Sequence, residues 1–137
     1  MVRRRDLLAY LIGAGLAGTL LTAPYAARLA VVRLIPGATT ISNVPFFLLP
    51  ILWGVWNLLW ARLQPAMSIG AWGAILGVVA GIGVNLFFVA VGAWFPAVML
   101  LPAFLSVLYF LLFRVVVGPL NEALGVESEP AGVARTR

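Results

Sequence analysis

An all-α membrane protein built as a bundle of four transmembrane helices is the fold this sequence predicts, on three observations. Hydrophobic residues fill 64% of the 137 positions and charged residues only 9%, whereas a soluble domain keeps about a quarter of its residues charged. So apolar a chain cannot cover a water-facing surface. Charges are absent from residues 7–27, 34–61 and 63–113. A bilayer core takes about 20 helical residues to cross, so the last of these runs is too long for one helix and fits two. The breaks between the apolar runs carry helix-starting and helix-stopping residues.

The first helix is expected over about residues 7–23. Arg3-Arg4-Arg5-Asp6 precedes an apolar run from Leu7 to Ala23. A cleaved signal peptide has the same outline, but no clean small-x-small cleavage site lies near Ala23 to Ala27. Arg4-Arg5-Asp6-Leu7-Leu8 has the look of a twin-arginine export signal, yet no folded soluble domain follows it. Residues 25–35 form an intermediate segment that carries Arg28 and Arg33 among Leu29, Val31, Val32, Leu34 and Ile35. It either extends the first helix or lies along the interface, its arginines reaching anionic lipid headgroups. Pro36-Gly37 ends it.

Asn43-Val44-Pro45 pairs a capping residue with an early proline, which starts a second helix over about 44–62. Gln64-Pro65-Ala66-Met67-Ser68 is a turn, and Ser68 is placed to cap a third helix over about 69–92. Gly92 and Pro96 punctuate the next turn. The fourth helix, about 97–117, is expected to stop at Gly118-Pro119. Residues 1–120 then form a single transmembrane domain, and the polar tail 121–137 is expected to be disordered.

The arginines set an expected orientation. With the N-terminus in the cytoplasm, Arg3, Arg4, Arg5, Arg62, Arg114, Arg135 and Arg137 lie inside and only Arg28 and Arg33 outside. That distribution favours a plasma-membrane protein with both termini cytoplasmic. Trp72 and Trp94 near opposite ends of the third helix suit an aromatic belt. The formal net charge of +5 does not point to nucleic acid, because the arginines flank spans and form no basic stripe.

The chain has no Cys, no His and no Lys. Thiolate nucleophiles, Fe–S clusters, histidine-ligated metals, histidine bases and lysine Schiff bases are thereby excluded. No metal or cofactor is expected. No carboxylate lies within a span, whereas a proton-coupled exchanger needs one in its pathway. Asp6 and Glu122, at the inner ends of the first and fourth helices, are the one acid/base combination available to an enzyme.

The spans themselves offer three patterns. Gly73-x-x-x-Gly77-x-x-x-Gly81 is a glycine zipper, a face that lets a second backbone approach closely. It serves a helix of the same chain, or a second copy. Trp53, Trp56 and Trp60 recur at i, i+3, i+7 as an aromatic wall, read as core packing or as one side of an apolar ligand site. Asn57, Asn85, Ser106 and Tyr109 are the polar groups within the spans. The helical rise puts Asn85 and Ser106 at one depth, so those two are expected to bond, and Asn57 at another.

The resulting functional expectation is a non-catalytic subunit or scaffold of a membrane complex. A homo-oligomeric small transporter, channel or lipid flippase is the alternative. The partners expected are membrane lipids and either a second copy or another membrane protein.

Overall fold

The computed structural model describes residues 3–23, 25–26, 33, 47–92 and 95–126. The described residues contain four long helices and no strand. Arg28, Trp94, the expected cap at Asn43 to Pro45 and the tail beyond Val126 lie outside them.

Helix α1 spans Arg4–Leu20. It begins three residues before the apolar run, since arginine is a good helix former. Asp6 sits in its first turn, where a carboxylate suits the helix dipole. Bonds from Leu21 N to Ala17 O and from Tyr25 N to Leu21 O carry the helical path onward.

Helix α2 spans Leu48–Leu63. It ends where Gln64 turns left-handed, with φ 42° and ψ 58°. Helix α3 spans Ile69–Ala90, and the Ser68 side chain accepts a bond from Ala71 N at 3.2 Å. Among the described residues, this helix of 22 residues and the fourth helix, Pro96–Ala123, are the two that combine the length and apolarity needed to cross a membrane.

Helix α4 runs without interruption over Pro96–Ala123. It opens with a 3-10 turn over Pro96–Leu100, is α-helical over Leu101–Leu112, widens to a π turn over Phe113–Val117, and returns to α-helix over Gly118–Ala123. The expected stop at Gly118-Pro119 does not occur. A proline lacks one N–H and its ring collides with the carbonyl four residues earlier. The π turn just before Pro119 resets the bonding pattern, so the helix accommodates the ring. Asn121 therefore belongs to the helix rather than to the tail. Gly125, at φ +68°, then turns the chain back, and Val126 N donates to Asn121 O at 2.7 Å. Val126 is fully buried.

The helices form two pairs. α1 packs extensively on α2 and α3 on α4, whereas the pairs meet each other sparsely. Glycine sets both intimate contacts. A Cβ on Gly13 would collide with the Trp53 carbonyl, and one on Gly54 would lie 2.7 Å from Cε2 of Tyr10. In the other pair, a Cβ on Gly73 would strike the Phe113 ring, one on Gly77 the Leu105 carbonyl and Ser106 nitrogen, and one on Gly81 the backbone of Leu101 and Pro102.

The large side chains point the other way. Leu86, Met99, Leu100, Phe104, Val107 and Val115 are all more than 60% exposed. The interior holds Ala9, Ala17, Ala61 and the contact glycines Gly13, Gly54, Gly73, Gly77 and Gly81, with Trp53, Leu76, Tyr109, Phe113 and Val117 filling the centre.

Candidate functional site

The two pairs are fastened at one end. Asn57 and Asn121 are both fully buried and face each other with their amides reciprocally bonded, Nδ2 of each donating to Oδ1 of the other at 2.9 Å. Asn57 Nδ2 also donates to the Ala9 carbonyl at 2.8 Å. One amide pair thus joins α1, α2 and the last turn of α4. Such a join satisfies groups that would otherwise be costly to bury.

One turn nearer that end, Arg62 Nη2 meets Asp6 Oδ2 at 2.9 Å. The Asp6 carboxylate is a tenth exposed and the Arg62 side chain about half. The Arg62 hydrogen bond holds the Asp6 carboxyl below its ordinary 3.8; partial burial opposes this, and the Arg3 backbone N–H assists it. A pKa lowered in the folded state means that the pairing stabilises fully above 3.8 and is lost as pH falls through the folded value. Acid unfolding of the protein in micelles is therefore expected to be steeper than that of Arg62→Gln, and a superimposable pH profile for the two would show that the pair contributes nothing.

Beside this junction lies an indole cluster. Trp56 and Trp72 stack with ring centroids 4.7 Å apart, and Trp60 leans on Trp72 at 6.2 Å. Trp56 Nε1 donates to the Trp72 carbonyl at 2.8 Å, and Trp72 Nε1 to the Trp56 carbonyl at 3.1 Å. Each indole thus satisfies its N–H on the other's backbone, which ties α2 to α3 across the short turn 64–68. Trp72, read from sequence as a belt residue, is the hub of this cluster. Trp53 is separate. It lies edge-on to Tyr109 at 4.8 Å and against Phe113 at 5.1 Å, joining α2 to α4, and its Nε1–H is buried with no acceptor in bonding geometry. The three tryptophans of the expected wall are all turned to helix packing.

The remaining polar candidates are dispersed. Asn85 donates from Nδ2 to Gly81 O at 2.9 Å and to Val98 O at 2.8 Å. It tethers the start of α4 to α3, and the expected bond to Ser106 is not made. The expected equal depth does not hold: Asn85 is level with Val98 and Ser106 with Gly77, and eight residues of α3, about 12 Å, separate Gly77 from Asn85. The Ser106 backbone instead lies under Gly77. Arg33 is exposed and helical. Glu122 is exposed, while Asp6 is committed to Arg62. Gly73, Gly77 and Gly81 all face α4 of the same chain.

Away from the junction the two pairs part and leave an apolar cleft of 410 Å³. The first turns of α2, the middle of α3 and one face of α4 line it, and among the described residues the Tyr109 hydroxyl is its only side-chain hydrogen-bonding group. Sequence reasoning identified neither this cleft nor Asn121. Tyr109, Phe113, Val117 and Asn121 recur every four residues and are all buried; that spacing, followed past Pro119, was the available signal for Asn121.

No protein-family model matches the chain, and no curated protein or solved structure matches it either.

Proposed function

We propose that the chain is a multi-pass plasma-membrane protein, with both termini cytoplasmic, that serves as a non-catalytic subunit or scaffold of a membrane complex. The observation that carries the reading is inverted polarity. Large aliphatic side chains face outward on all four helices, and the contact glycines Gly13, Gly54, Gly73, Gly77 and Gly81, the amides of Asn57 and Asn121 and the Asp6 carboxylate face inward. In water an apolar surface of this extent is an aggregation site; in lipid it matches the solvent, and small residues and amides supply the helix contacts instead. Arg62, Arg114 and Arg3, Arg4 and Arg5 at the start of α1 lie toward the junction end, which the positive-inside bias assigns to the cytoplasm.

The non-catalytic part rests on how the polar side chains are used. Asp6, Arg62, Asn57, Asn121 and Asn85 are each bonded to another part of the same fold. The glycine face is filled by α4, which removes from α3 the interface a homo-oligomeric pore would need. Native mass spectrometry after gentle extraction from the host membrane is expected to show a second membrane polypeptide in fixed stoichiometry. A bare homodimer or ring would instead favour the transporter or flippase reading.

A further inference from the structure

We propose that the cleft between the two helix pairs holds one hydrocarbon chain of a membrane lipid; this rests on the membrane reading above. Leu48 and Leu52 form one wall, Leu76, Gly83 and Phe87 the other, and Tyr109 the floor. The junction residues Asn57, Asn121, Asp6 and Arg62 hold the helix pairs together at one end, so they diverge toward the other, where α2 begins. The walls are hydrocarbon at the depth where lipid is hydrocarbon, and an open cleft there is filled by whatever apolar matter fits.

Size selects the occupant. Leu76 to Phe87 spans eleven residues, about 16 Å of helix. Spread over that length, 410 Å³ leaves a cross-section of about 25 Å². A groove of this volume, lined by aliphatic side chains and open along one side, suits a single extended hydrocarbon chain lying along it. Its volume is also within the roughly 300–1,000 Å³ of ligand sites generally.

Gly83 gives direct access to a test. A Cβ there meets nothing within 4 Å, and the same is true of Gly18 on α1, outside the cleft. Gly83→Phe fills the cleft without a backbone collision, and Gly18→Phe is the matched control. The protein is reconstituted into vesicles of phosphatidylethanolamine and phosphatidylglycerol doped with a phosphatidylcholine whose acyl chain carries a diazirine, then photolysed and mapped by peptide mass spectrometry. Labelling at Leu52 and Tyr109 is expected to exceed that at the outward-facing Val107 and Val115. It is expected to fall about tenfold in Gly83→Phe, the consequence of overfilling a packed site, and to persist in Gly18→Phe. Even labelling of all four positions that Gly83→Phe leaves unchanged would overturn the site while leaving the membrane reading intact. So would cross-links from the cleft to another polypeptide. Failure of the protein to float with the vesicles would overturn both.

Discussion

Gly77→Ala is expected to destabilise the protein by about 3 kcal/mol, the upper end of what overpacking a well-packed contact costs. One methyl group carries that effect because the atoms it meets are backbone. The new Cβ would collide with the Leu105 carbonyl and the Ser106 nitrogen, and no rotamer change moves those. α4 must shift bodily away from α3, and with it go the neighbouring contacts at Gly73 and Gly81. In the proposed membrane setting, lipid supplies no hydrophobic drive to offset the lost contact, since acyl chains are as apolar as the helices. Gly83→Ala, six residues further along, meets nothing within 4 Å and is expected to cost nothing, because alanine is the better helix former. Equilibrium unfolding in mixed micelles separates the two. Equal stability of both variants would show that α3 and α4 do not approach through this face.

The second large effect is expected at the amide pair. Asn57→Leu removes the partner of Asn121 and the donor to the Ala9 carbonyl. A buried amide left without its bonds costs roughly 1–3 kcal/mol. Asn121→Leu strands Asn57 in the same way, except for its bond to Ala9. The double variant Asn57→Leu/Asn121→Leu leaves neither amide unpaired, so its loss is expected to be smaller than the sum of the single losses, with a coupling of about 1 kcal/mol or more. Strict additivity would mean that the two amides act independently. The same variants report on the cleft, because the pair holds the helix pairs together at the end from which they diverge.

The helical class was legible from composition and the charge-free runs, and α3 was legible at both ends. Ser68 is a side-chain cap whose chemistry is local, and Gly92, at φ +67°, is a turn residue whose conformation is local. At Gly73, Gly77 and Gly81, which lie against α4, the absence of a side chain is visible in the letters. What the letters did not show is which backbone would arrive there. The end of α4 was misjudged because Gly118-Pro119 is a stop signal only in an α-helical register, and the π turn over Phe113–Val117 changes that register. With the helix ended too soon, Asn121 passed for a tail residue and Asn57 was left without its true partner. The contact of Trp72 with Trp56 was not legible for a related reason: only the turn 64–68 brings Trp72 back over Trp56. The cleft arises from the divergence of two helix pairs, a property of four elements at once, and no local pattern encodes it.

The central claim is that four helices cross a bilayer with both ends in the cytoplasm. The chain has no cysteine, so single cysteines report position cleanly. Met67→Cys, Val91→Cys and Leu124→Cys place one at each turn or end, all at exposed positions. A membrane-impermeant maleimide applied to intact spheroplasts of a bacterial expression host is expected to label position 91 alone, and to label positions 67 and 124 only after permeabilisation. Labelling of all three from one side, or recovery of the protein in the soluble fraction, would contradict the topology and with it the reading built on the outward-facing apolar surface.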